Sequence, residues 1–473
     1  MVASGMFRRT LIAALLATSP ALAQPVAVPD CTVDGTLADS DGLKLDVTYR
    51  CRATQPLSFQ PTEDRAAHYV ADLKVEQRDG VAEAHYRFDL AGFARAVDST
   101  SVAVLRGNGV LATLGGWLLE PRGYDRVPTI DIRMTTGPGL VFAAGLPKVG
   151  DAWRLSSTPV RFAGYTALGR LAYRELAVPA PGSLRPGQPK ADAVFRVAIL
   201  DGVNEAGRTD LFDWAERTAE AEANYWQGFT AKQALLGVVP VANRRGVGYG
   251  RTVSGGGVTV MVEVGTDVDR RRLFNDWVLT HELIHTGMPY IRGRGTWLME
   301  GAATYVEPII RARAGWKTEE EVWREWVDNM PQGVEAFSSG LANASGRQNY
   351  WAGATFMLLA DIAIRRGSDG AKGLDDCLGG VLWTGLDGGQ RASVADYAAA
   401  CDRATGTTAM SSLVDRHFNK VEPVDLAALW KELGISVVGG RIVLDDSAPS
   451  AQWRKMIVPG SHPPKRVKLP WEA

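Results

Sequence analysis

The hydrophobic repeat of this chain changes period along its length, and that change limits the fold more than any other feature. From residue 32 to about 175 apolar and polar residues mostly alternate, as in Leu43-Lys44-Leu45-Asp46-Val47-Thr48-Tyr49 and Ala82-Glu83-Ala84-His85-Tyr86-Arg87-Phe88. Successive side chains of a strand point to opposite faces, so a period of two describes half-buried strands. From about Arg270 onward the apolar residues recur at helical spacing, which predicts helices over residues 273–286, 299–314, 319–330 and 350–366. Between these regions lie an apolar strand at 193–200, a helix at about 210–226 and strand-like segments at 235–241 and 258–264, with a glycine cluster between the last two. The Pro- and Gly-rich stretch 178–189 reads as a linker, and Gly439-Gly440 as the turn of a hairpin. At 473 residues the chain exceeds what one compact core holds. The expected fold class is α+β: an N-terminal β domain (24–190), a middle domain (191–330) and a helical C-terminal domain (331–473) ending in a hairpin and tail.

Lys plus Arg (52) nearly balances Asp plus Glu (53), a net charge of −1. Such a balance excludes nucleic acid as the principal partner. Residues 1–23 read as a signal peptide: Arg8-Arg9, an apolar run, then the small-residue triplet Ala21-Leu22-Ala23. The run is too short to span a bilayer, and no later run is long enough. The expectation is an exported chain, periplasmic or secreted, with no transmembrane segment after cleavage. In an oxidising space the four cysteines favour two local disulfides, Cys31–Cys51 and Cys377–Cys401, although sequence alone leaves the other pairings open.

Two of the six histidines stand in Thr280-His281-Glu282-Leu283-Ile284-His285. Positions i and i+4 share one face of a helix, so both imidazoles can bind one zinc ion while Glu282 projects beside them. Zinc lowers the pKa of bound water to about 7 and polarises a carbonyl, and a neighbouring carboxylate takes the water's proton. A third ligand is expected from the next helix. Glu300, fifteen positions after His285 (300 − 285), completes a two-His, one-Glu set that leaves a coordination position open. Thr304, one turn further on, is a candidate hydrogen-bond partner for a ligand imidazole. Arg292 and Arg294, in the loop between the two helices, are candidates to face an acidic or C-terminal group on a substrate.

His281-Glu282-x-x-His285 followed by Trp297-Leu298-Met299-Glu300-Gly301-x-x-Thr304-Tyr305 resembles the gluzincin zinc metallopeptidases. Downstream, Tyr350-Trp351-Ala352-Gly353-Ala354, the helix to Arg366 and Gly373-Leu374-Asp375-Asp376 are similar to the glycyl aminopeptidase family, whose members often carry a PDZ domain. The resemblance runs from about residue 211 to 377. It implies a thermolysin-like catalytic domain, a small sheet above the zinc helix and a helical half below. It assigns Tyr350 as the donor to the developing oxyanion, with Tyr290 and Tyr305 as alternatives. It also places Gly255, Gly256, Gly257 and Val258 at the substrate-binding edge of the sheet. Three departures stand out. The glutamate that binds a free amine in related aminopeptidases has no counterpart in Val258-Thr259-Val260, with Glu263 three residues beyond. The His285-to-Glu300 gap is short, and no PDZ module follows.

The expected function is therefore that of an exported zinc metallopeptidase, aminopeptidase-like, with one zinc per chain and a peptide or protein as substrate. The alternatives are a zinc-binding protein of gluzincin fold without turnover and a zinc hydrolase of non-peptide amides.

Overall fold

The computed structural model describes residues 28–40 and 42–458. The expected signal peptide (1–23) and the basic stretch 463–468 lie outside them. No helix among the described residues is long and apolar enough to cross a membrane.

The alternating region folds as expected into paired sheets. A seven-stranded sheet runs in the order Lys148–Val149, Ala152–Leu155, Ile130–Thr136, Cys31–Ala38, Lys44–Arg52, Val81–Asp89, Val70–Arg78. In the strands 44–52 and 81–89 every second residue is buried, which is the alternation visible in the sequence. Tyr49, Tyr86 and Phe88 meet Trp117 and Trp153 in the first core. A four-stranded sheet (Val141–Ala144, Tyr165–Gly169, Gly109–Thr113, Ala103–Arg106) lies next in the chain's architecture. Cys31 and Cys51 sit directly opposite each other on adjacent strands and form a disulfide.

A third sheet has five strands, in the order Ala172–Pro179, Asp192–Ile199, Gln233–Val241, Val258–Gly265, Val247–Val253. Its inner pairs are parallel and both outer pairs antiparallel. One face packs on the helix Glu205–Trp226 and on Leu283 of the motif helix, through Phe195, Val197, Leu236 and Val262. The other face packs on the four-stranded sheet, where Leu235, Val239 and Met261 meet Val104, Leu111 and Tyr165.

Two expected boundaries are corrected by this arrangement. The stretch 178–189 is no domain linker: Ala172–Pro179 pairs with Asp192–Ile199, so residue 190 falls within one antiparallel hairpin. Residue 330 is not a division either. Trp297, Tyr305, Trp323 and Trp326 share one core with Phe356, Leu378, Tyr397 and Ile457. The period of a sequence reveals each element but not which core it joins.

The helices fall near their expected places, at Arg270–Asn275, Val278–Thr286, Thr296–Arg313, Glu319–Asn329 and Arg347–Gly367. The single helix expected over 273–286 is broken at Asp276-Trp277, where the Asp276 carboxylate accepts from the Val278 N–H at 2.7 Å. That side chain competes with the helical hydrogen bonds and starts the second helix afresh. Thr318 and Glu321 form a capping box that fixes the start of Glu319–Asn329. Cys377 and Cys401 join the helices Leu374–Trp383 and Val394–Thr405. The hairpin Ile435–Val438 with Arg441–Leu444 turns on Gly439 (φ 56°) and Gly440 (φ 77°), a conformation that favours glycine at both positions. His417 is buried in the helical region with its ring against Phe337.

Candidate metal centre

The motif helix Val278–Thr286 carries His281 and His285 one turn apart, with their Nε2 atoms 3.2 Å from each other. The next helix, Thr296–Arg313, brings Glu300 Oε2 to 3.2 Å from His281 Nε2 and 3.5 Å from His285 Nε2. The short His285-to-Glu300 connection suffices because it turns tightly. Tyr290–Arg292 forms a small parallel pair with Arg391–Ser393, and Gly293 (φ 72°) and Arg294 (φ 65°) reverse the chain.

Burial pulls the His281 pKa down. For His285 burial acts the same way, but the Glu300 carboxylate outweighs it and the pKa is raised. Burial opposes the Glu300 anion as well, yet its hydrogen bonds to both imidazoles hold its pKa well below the usual carboxylate range. Donor atoms about 2.1 Å from a tetrahedral zinc lie about 3.4 Å apart. The observed 3.2, 3.2 and 3.5 Å therefore fit one such ion held by two nitrogens and one oxygen.

Other elements surround this trio. The ring of Tyr350, on the helix Arg347–Gly367, is stacked on His281 at 5.9 Å between centroids and 21° between planes. Burial first, then the negative charges of Glu300 and Glu282, push the Tyr350 pKa up to about 12. Tyr350 reaches the trio because two glycines let the helices touch. Gly301 lies against the backbone of Gly353, and a Cβ on either would fall inside that contact. Trp277 also stands against His281, edge-on at 5.2 Å and 47% exposed.

Glu282 projects from the motif helix toward the outer strand Val247–Val253 of the five-stranded sheet. Thr252 Oγ1 lies 2.8 Å from Glu282 Oε2 and 2.6 Å from the Glu282 carbonyl. A Cβ at Gly250 would sit 2.6 Å from both Glu282 Cγ and Val278 Cγ1, so this close approach requires glycine.

The remaining expectations fare unevenly. Gly255, Gly256 and Gly257 do not form the open edge. They make the turn between the outer strand and Val258–Gly265, packed on Phe162, Leu155 and Gly145 of the N-terminal sheets. Val258 begins an inner strand, flanked on both sides. The edge is Val247–Val253, whose own glycines were hidden among those of the cluster. Glu263 accepts from Thr100 and pairs with Arg244, so both carboxylate oxygens are engaged away from the trio. Thr304 is buried, but its hydroxyl bonds neither imidazole; Nδ1 of His281 and of His285 is likewise buried without a protein partner. A position one turn from a ligand guarantees the same helix face, not contact. Arg294 donates to Asn343 at 3.2 Å and Arg292 lies near Asp396; both are exposed, and no hydrogen bond or ion pair links either to the trio among the described residues. Tyr305 is fully buried and donates to Asp361, and Tyr290 is 57% exposed, which leaves Tyr350 as the tyrosine beside the trio. Thr252, Gly250, Trp277 and the Gly301–Gly353 contact were not foreseen. The last had a signal, since glycine inside a helix is unfavourable unless packing requires it.

No protein-family model matches the sequence, and no curated protein matches it. Among solved structures, the fold is similar to that of an aminopeptidase N family protein from Idiomarina loihiensis. The TM-score is 0.58 at 13% identity, over 86% of this chain and 79% of that one. Yeast LTA4 hydrolase matches at TM-score 0.46 and 13% identity (86% and 70% covered). Legionella pneumophila aminopeptidase A in complex with aspartic acid matches at 0.47 and 9% (84% and 50% covered).

Proposed function

We propose that this chain is an exported zinc metallopeptidase with a thermolysin-like catalytic unit, aminopeptidase-like in its chemistry and nearest in motif to the glycyl aminopeptidases. The observation that carries this reading is the meeting of His281, His285 and Glu300 within 3.5 Å, with Glu282 and Tyr350 beside them. The fold shared with an aminopeptidase N family protein supports it. The two disulfides and the amino-terminal sequence support export, since such bonds persist in oxidising compartments.

His281, His285 and Glu300 would hold the zinc, which would supply Lewis-acid chemistry for acidifying a water and polarising a carbonyl. Glu282 takes the proton from the attacking water and delivers it to the leaving amine. The Thr252 hydroxyl, 2.8 Å from one Glu282 oxygen, positions that carboxylate. Tyr350 keeps its proton at neutral pH, because its pKa is pushed up to about 12, and donates to the oxygen that gains charge. An extended substrate backbone pairs with the outer strand Val247–Val253. Glu282→Gln tests the assignment: zinc content by metal analysis stays stoichiometric while peptide hydrolysis is lost, and a variant with wild-type turnover refutes it.

A second reading has its own support. The outer strand Val247-Gly248-Tyr249-Gly250-Arg251-Thr252-Val253 carries no carboxylate to bind a free amine, and Glu263 is already engaged. This favours cleavage inside a chain or of a blocked terminus. Matched peptides with free and N-acetylated amino ends separate the two: equal rates establish the second reading, and loss of cleavage on acetylation establishes the first.

A further inference from the structure

A second sheet edge, in the N-terminal region, has a chemistry of its own. The strand Val70–Arg78 closes one end of the seven-stranded sheet. It pairs antiparallel with Val81–Asp89 on one side, and among the described residues no backbone hydrogen bond reaches its other side. Its neighbour alternates buried and exposed residues, whereas this strand is exposed at eight of its nine positions. Leu73 and Val75 are 41% and 43% exposed.

Open edges attract other strands unless charge, proline or a covering element blocks them. Here the charges run Asp72, Lys74, Glu76, Arg78, alternating in sign at every second position. That pattern is its own antiparallel complement. About a two-fold axis at Val75, Lys74 of one copy stands opposite Glu76 of the other, Asp72 opposite Arg78, Leu73 opposite Gln77 and Val75 opposite Val75. Opposite charges directly across an antiparallel pair stabilise it, and like charges destabilise it. Within one chain Glu76 faces Glu83 across the ladder, a like pair, and its ion pair with Arg78 at 3.3 Å is exposed. A second copy's Lys74 would add an opposite charge directly across from Glu76. Asp72 sits at a bulge and accepts from Arg87 at 2.7 Å, which makes the Lys74–Glu76 pairs the central ones.

We propose that Val70–Arg78 pairs antiparallel with the same strand of a second copy of this chain, joining two seven-stranded sheets into one across a two-fold dimer. Every contact off the axis then occurs twice. Sedimentation equilibrium on the full chain tests this, with thermal melting to verify folding. A reversible monomer–dimer equilibrium is expected. Lys74→Glu and Glu76→Lys each turn two attractive pairs repulsive and raise the dimer Kd about tenfold or more. The double variant K74E/E76K reverses both partners and restores the Kd to within about threefold of wild type. Hydrogen exchange of the amides in this strand slows as protein concentration rises. A wild-type monomer at about 100 μM, a dimer indifferent to the single changes, or a double variant without recovery overturns the proposal. Amides protected in a monomer at every concentration overturn it too, by placing another part of the chain on this edge.

Discussion

The groups proposed to hold the metal and the groups proposed to act on substrate lie side by side but are built differently. His281, His285 and Glu300 come from consecutive helices, and His281 is 3% exposed. Glu282, Thr252 and Tyr350 meet from a helix, a sheet edge and a second helix that starts at Arg347, and Thr252 and Tyr350 are half-buried. The first set depends on helix periodicity plus one tight turn. The second depends on long-range packing, through Gly250 under Glu282 and Gly301 against Gly353. Losses in the first set should therefore register as lost metal, and losses in the second as lost turnover with metal retained.

The largest effects test that separation directly. His285→Ala and Glu282→Gln should each lower kcat/KM by about 10³-fold or more. Zinc analysis should then find the metal gone from the first and stoichiometric in the second; zinc loss in both would merge the two sets. Tyr350→Phe should cost about 10²-fold, the scale of one lost oxyanion donor, with zinc unchanged. Because the Tyr350 hydroxyl keeps its proton up to about pH 12, that factor should be constant across the neutral range. A Tyr350→Phe deficit that shrinks as pH rises through the neutral range would mean that the hydroxyl loses its proton there, against the raised pKa. Gly353→Ala attacks the packing beneath Tyr350, since the new Cβ would collide with the Trp297 carbonyl and Gly301. It should destabilise the chain by about 1–3 kcal/mol in a denaturant titration. It should also cost about tenfold in turnover by displacing Tyr350.

The same contrast explains what the sequence made legible. The candidate metal set was visible because i, i+4 spacing and a nearby helical carboxylate are local facts. The N-terminal sheets were visible because alternation such as Leu45, Val47, Tyr49 is local too. The open edge of the sheet was expected at Gly255–Val258 and lies at Val247–Val253. Six glycines between 246 and 257 look alike in sequence, and only pairing to Val258–Gly265 on one side and contact with Glu282 on the other distinguish them. The boundaries at 190 and 330 failed for a related reason: strand pairing across 172–199 and the shared tryptophan core are long-range facts that composition does not encode.

Two threonines supply the smallest and sharpest contrast. Thr252 holds Glu282 at 2.8 Å, so Thr252→Val should lower kcat about tenfold through a misplaced base, with zinc content unchanged. Thr304 sits one turn from Glu300 on the metal side, buried, with its hydroxyl unbonded. Valine has nearly the same shape and no polar atom to satisfy. Thr304→Val should leave zinc affinity within about twofold of wild type, as no hydrogen bond to a ligand is lost. It should also raise the denaturation midpoint slightly, because an unsatisfied buried hydroxyl costs about 1–3 kcal/mol. A competitive zinc titration decides it: a loss of about 10- to 100-fold would mean that Thr304 orients a ligand imidazole once metal is bound, returning this residue to the role its spacing suggested.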